Sequence, residues 1–140
     1  MLDLQAAIPD TVEKEIIFEG PLSAITYGKT GWEKWIKILP VNVKDYEKYL
    51  RVLHDGEAGV IALAKQNNSL AALDDLNARK IAKKEGIRIT GTLGIVKIGY
   101  ELFPVKDKTE LKDIINALRA VCFRMPEDIE AEILNTEKPP

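Results

Sequence analysis

The stretches GEAGVIALA (residues 56–64) and LDDLNARKIAKKEGIRITGTLGIV (residues 73–96) decide how this chain is read. In the first, Ala58, Val60, Ile61, Leu63 and Ala64 leave almost no polar face, which predicts a deeply buried helix within 54–68, with Asp55 able to cap it. SLAAL (69–73) follows as a short buried strand, closed by the acidic pair Asp74 and Asp75. Beyond the pair, Ala78, Ile81 and Ala82 recur at i, i+3 and i+4, so 76–86 reads as a helix stopped by Gly86. IRIT (87–90) is then a second strand.

Toward the N-terminus, VKDYEKYLRVL (43–53) predicts a short helix, and SAITY (23–27) and WIKILPV (35–41) are candidate strands. PDTVEKEI (9–16) opens a helix at Pro9 and Asp10, with Glu13 at capping-box spacing and Gly20 and Pro21 as its end. Met1 to Ala7 reads as the tail of a helix whose body is not in the chain. Toward the C-terminus, 91–105 is apolar enough to be a helix packed on the sheet, ended by Pro104. Leu111, Ile114, Ile115, Leu118 and Val121 or Cys122 form the stripe of an amphipathic helix, and Pro126 begins a last one. Helices alternating with short apolar strands predict an α/β sandwich with a mainly parallel sheet.

At 140 residues and 46% hydrophobic content, the chain fits one domain, spanning 1–140. Twenty basic and 22 acidic side chains leave a net charge of -2, so any attraction to nucleic acid must be local. The lone cysteine, Cys122, stands between Val121 and Phe123 and reads as an ordinary buried thiol. With neither a leader-like start nor an apolar segment of membrane length, the chain reads as soluble and cytoplasmic.

Ligands of open parallel sheets collect at the carboxyl ends of strands. Asp74 and Asp75 end one strand, Thr90, Gly91 and Thr92 end the next, and Glu57 lies in the first turn of the helix leading into the first. Glu57, Asp74 and Asp75 could therefore hold Mg²⁺ or Mn²⁺, hard cations that prefer oxygen donors. The competing reading makes the aspartate an N-cap and the glutamate a partner of the helix dipole, and spacing alone favours it. Arg79, Lys80, Lys83 and Lys84 would grip a phosphate backbone or form a solvated face. Thr92 would contact phosphate or only cap its helix. GTLG lacks the GK[ST] of a nucleotide loop, and His54 has no second metal-ligating partner at suitable spacing. Trp32 and Trp35, three apart, suit either base stacking or core packing.

Taken together, GEAGVIALA, LDDLNARKIAKKEGIRITGTLGIV and LRAVCFRMPEDIEAEIL (118–134) resemble the PIN domain superfamily. The closer resemblance is to its VapC-like prokaryotic branch, with GEAxAIALA, DDxxAR and GTLG motifs in this order. It implies a PIN-like α/β/α sandwich and a Mg²⁺- or Mn²⁺-dependent ribonuclease, often a toxin neutralised by a small antitoxin protein. By position, the resemblance makes Glu57 and Asp75 metal ligands, places Asp74 beside them in the catalytic set, and makes Arg79 and Thr92 substrate-binding.

One departure stands against these matches. PIN domains begin with a central strand ending in an aspartate, and neither Asp3 nor Asp10 is expected to replace it, since neither follows an apolar strand. The resemblance therefore implies a weakened or inactive site and strand edges that SAITY, a second copy or a partner strand must cover. A homodimer or an exchanged arrangement is the expectation. The alternatives are a non-catalytic module binding RNA or an antitoxin-like protein and, disfavoured by the chain's size, a DNA-acting nuclease of the flap type.

Overall fold

The computed structural model describes residues 5–18, 36–102 and 104–140. SAITY, both tryptophans, Asp3, Gly20 and Pro21 lie outside the described residues. The chain divides into two compact units, Met1–Thr90 and Gly91–Pro140.

The first unit runs β1 (Ala6–Pro9), α1 (Asp10–Phe18), β2 (Ile36–Leu39), α2 (Val43–Leu50), α3 (Asp55–Asn67), β3 (Ala71–Ala72), α4 (Leu76–Lys84) and β4 (Ile89–Thr90). All strand pairing among the described residues is parallel, as expected from strands separated by helices. β1 pairs with β2, with Ala6 opposite Ile36 and Pro9 opposite Leu39, and β3 pairs with β4, with Ala71 opposite Ile89. The α/β class predicted from the periodicities is the one observed.

Two local expectations fail at the N-terminal end of this unit. Residues 6 and 7 are strand rather than the tail of a helix. The ring of Pro9 restricts Ile8 to extended backbone, and pairing with β2 outweighs the helix preference of the two alanines. Asp10 consequently does follow a strand directly, contrary to the reading that it does not.

Helix α3 is the centre of the unit and packs against α1, α2, α4, β1 and β3. Its near-absence of a polar face is thereby explained: Ala58, Ile61 and Ala62 are fully buried. Alanine pairs at i and i+4, Ala58 with Ala62 and Ala78 with Ala82, reach zero exposure in α3 and α4. Such small side chains let neighbouring elements approach closely while larger ones, Ile61 and Leu73 among them, fill the space between. Helix α4 stops as its sequence predicts. Gly86 adopts a left-handed φ of 75°, its N–H reaches the Lys83 carbonyl, and the Ile87 N–H reaches the Ala82 carbonyl at 2.9 Å.

Across α2, α3 and the end of α4 runs an ionic cluster. Glu85 accepts from Lys48 Nζ and from the Tyr49 hydroxyl, both at 2.9 Å, and Lys65 lies 3.3 Å from Asp45 and 3.6 Å from Glu85. The bond from Lys48, then that from Tyr49, holds the Glu85 carboxyl below its ordinary value. Burial, then the Glu85 bond, pushes the Tyr49 phenol up. A lowered carboxyl contributes stability above the unfolded glutamate value of about 4.3 and loses it as pH falls through the folded value. A raised phenol contributes below about pH 10 and loses its share as pH rises through its own folded value. Melting temperature should accordingly plateau between about pH 5 and pH 9. Glu85→Gln should flatten the acid flank and cost under about 1 kcal/mol, because the cluster is solvent-screened. An unchanged acid flank in that variant would contradict this assignment.

The second unit contains α5 (Thr92–Glu101), α6 (Lys108–Ala120) and α7 (Glu127–Asn135) around Tyr100, Val105, Leu111, Ile115 and Ile133. Asp107 caps α6, accepting the N–H groups of Thr109 and Glu110 at 2.9 Å. The predicted stripe holds at Leu111 and Ile115 but not at its end, where Val121 is 74% exposed and Cys122 is an exposed free thiol. Helix α6 stops at Ala120 and Cys122 takes a left-handed φ of 59°, so neither residue continues the helical face.

Candidate functional site

Glu57 reaches the site because it is the third residue of α3. The helix is preceded by His54 at the N-cap position, with Asp55 already inside the first turn rather than capping it. Glu57 Oε2 turns back to accept the His54 N–H at 3.3 Å, satisfying one of the donors a helix start leaves open. Asp75 occupies the N-cap of α4, where its Oδ1 accepts the Ala78 N–H at 2.8 Å. The N-cap role that spacing alone favoured for the aspartate is thus present, and Glu57 adds a hydrogen bond to its place in the first turn of α3.

The same two residues both line an open cavity of about 310 Å³, together with residues 50–54 and Asn77. Asn77 closes one side, its Nδ2 donating to the Val52 carbonyl at 3.3 Å and tying α4 to the turn before α3. Capping uses one oxygen of each carboxylate, and among the described residues Glu57 Oε1 and Asp75 Oδ2 take no hydrogen bond. Two hard oxygen donors in one cavity suit Mg²⁺ or Mn²⁺, which is often held by one or two carboxylates and keeps several waters. No group of three or more His, Cys, Asp or Glu side chains is arranged to hold a metal among the described residues.

The remaining predicted residues are placed differently. Asp74 is exposed and is not part of the cavity lining. Arg79 is half-buried and turns inward, with Nη1 donating to the Leu73 carbonyl at 2.8 Å, so it fastens α4 to the end of the strand segment. Thr92 is the first residue of α5 in the second unit, where Gly91 and not Thr92 occupies the N-cap position.

Sequence reading missed Arg51, His54 and Asn77 as lining residues, and missed Glu15. Glu15 extends from α1 to accept the Gly56 N–H at 2.9 Å, adding a carboxylate to the first turn of α3. A Cβ on Gly56 would lie 2.6 Å from Glu15 Oε1, so the glycine of GEA permits this approach. No sequence signal links partners 41 residues apart. For Asn77 the signal existed, since it lies two residues beyond Asp75.

A family model for the PIN domain matches residues 2–138. The chain belongs to the PIN domain family. No curated protein and no solved structure matches it. PIN domains have a nuclease-type fold and are generally dependent on divalent metals. No helix among the described residues is long and apolar enough to cross a membrane.

One stability prediction belongs to this PIN domain's Asp75. Asp75→Ala should destabilise by about 1 kcal/mol, the usual cost of losing an N-cap, whereas Asp75→Asn should be nearly neutral because asparagine caps equally well. Urea denaturation of the two variants beside the parent measures this. Equal losses in both would show that the bond to Ala78 is not what stabilises α4.

Proposed function

We propose that this PIN domain is a metal-dependent endoribonuclease of the VapC-like, toxin-antitoxin type, acting in the cytoplasm as a single domain over residues 1–140. The observation that carries this reading is that Glu57 and Asp75, from the starts of two different helices, line one cavity, each with an oxygen that takes no hydrogen bond among the described residues. These two residues would hold Mg²⁺ or Mn²⁺, and Asp74 would support them. The bound cation would supply positive charge against the phosphodiester and lower the pKa of an attacking water.

The chain's own groups do the rest. The caps on His54 and Ala78 fix the orientation of both carboxylates, so little reorganisation is needed when a charge arrives between them. Arg79 spends one of its five donors on Leu73, and the others are proposed for RNA phosphate; Thr92, at the start of α5 in the second unit, is proposed as a phosphate contact of its own. A small antitoxin protein and a second copy of the chain are the proposed protein partners.

A second reading is a non-catalytic RNA- or antitoxin-binding module, in which the two cavity carboxylates serve only as helix caps through their bonds to His54 and Ala78. Incubation of the protein with single-stranded RNA and Mn²⁺ separates the two. Cleavage that disappears in Glu57→Gln and Asp75→Asn supports the enzyme, since both substitutions keep a side-chain oxygen to accept the His54 and Ala78 N–H groups while removing charge. RNA bound but uncut supports the module, and RNA neither bound nor cut removes both.

A further inference from the structure

Helix α4 carries no acidic residue along its length, and Glu85 just beyond it is committed to Lys48 and Lys65. Lys80, Lys83 and Lys84 are exposed, and among the described residues none of them makes an ion pair, in contrast to Lys48, Lys65 and Lys97. Their spacing places Lys80 and Lys84 in line with Asn77, at i+3 and i+7, on the face that runs toward the cavity. Asn77 itself lines that cavity, and exposed Arg51 lines it too. From Asn77 to Lys84 the helix rises about 10 Å at roughly 1.5 Å per residue. The same end of the helix exposes Leu76 at 72%, and Val52, whose carbonyl holds Asn77, is 58% exposed.

We propose that Lys80, Lys83, Lys84 and Arg51 form a track that holds the phosphate backbone of a single-stranded RNA and leads it to the Glu57–Asp75 cavity. Cations without partners gain most from neutralising phosphates, because no internal ion pair has to be broken and bound counterions are released from the RNA. Leu76 and Val52 favour a single strand over a duplex, since only unstacked bases offer apolar faces to such side chains. The track rests on the ribonuclease reading and adds to it the path of the substrate.

The test is fluorescence anisotropy with a labelled twelve-nucleotide RNA of mixed sequence, in EDTA so that no cleavage occurs, over a range of salt concentrations. Lys80→Gln/Lys83→Gln/Lys84→Gln should reduce the slope of log affinity against log salt by about 2, at roughly 0.7 per phosphate on a single strand. The wild-type advantage over this variant should then fall about twenty-fold between 50 and 200 mM salt. Glutamine nearly matches lysine in helix propensity, so the exposed substitutions leave the fold intact, and an unchanged melting temperature verifies it. A control with the same charge change, Lys106→Gln/Lys108→Gln/Lys112→Gln, alters exposed lysines of the second unit and should leave the slope nearly as in the parent.

An unaltered slope in the α4 variant overturns the track while leaving the ribonuclease reading in place. An equal loss in the control also overturns it, by showing that net charge alone is sensed. Equally tight, equally lysine-dependent binding of duplex DNA overturns the single-strand assignment. Failure of the parent protein to bind RNA at all overturns the track together with the reading beneath it.

Discussion

Truncation of Ile61 to alanine is expected to cost about 2–5 kcal/mol and to be among the most damaging single changes in the chain. Ile61 has no exposure and lies in the helix that packs against α1, α2, α4, β1 and β3. Removing three carbons there forfeits their transfer free energy and leaves a void that surrounding elements would have to move together to close. The small alanines beside it, Ala58, Ala62 and Ala78, have no rotamers with which to fill it. Domains of this size are stable by only about 5–15 kcal/mol, so the change consumes a large part of the total. Urea denaturation should show a lower midpoint with an unchanged slope. A loss below about 1 kcal/mol would mean that α3 is not the centre of the core.

Gly59→Ala should also destabilise, although alanine in place of an interior helical glycine ordinarily gains up to about 1 kcal/mol. The added Cβ would lie 2.0 Å from Thr11 Oγ1 and 3.2 Å from two ring carbons of Pro9. Neither neighbour yields easily. Pro9 is rigid and fully buried, and Thr11 is β-branched and 9% exposed, so α1 and α3 must separate. Overpacking of this kind costs about 1–3 kcal/mol. The clash is chiefly with one oxygen, which points to a rescue.

Among the described residues Thr11 Oγ1 is buried with no hydrogen-bond partner, so Thr11→Ala removes a polar atom that makes no bond to them. In the Thr11→Ala background, Gly59→Ala should be milder by about 1 kcal/mol, a coupling within the range for residues in direct contact. Strict additivity in the double-mutant cycle would show that the two helices do not meet at these residues. Thermal denaturation of the four proteins is sufficient.

Much of the secondary structure was legible in the sequence. The i, i+3, i+4 alanines and isoleucine of α4, the Gly86 stop and the unbroken apolar run of α3 are local patterns with local causes. Short strands and chain ends were less legible: β3 is two residues long, and β1 draws on an alanine-containing segment whose own preference is helical. Cys122 reads as buried from its apolar neighbours Val121 and Phe123, but the helix ends at Ala120 and the backbone turns left-handed at Cys122, leaving the thiol exposed. The candidate site was legible as residue types at strand ends and helix starts, but not as a set. Asp74 and Asp75 are adjacent in sequence, yet only Asp75 turns into the cavity lining while capping α4.

By itself the sequence determined the α/β class, the parallel pairing that helix-separated strands adopt, the positions of the helices and the PIN domain resemblance, because periodicity and capping act within a few residues. Tertiary structure alone decided which carboxylate joins Glu57, that Arg79 fastens the end of a strand segment, and that Glu15 meets Gly56 from 41 residues away. The physical reason is the same in each case. A side chain's partner is set by the packing of whole elements, and that packing depends on long-range contacts that no short window of sequence contains.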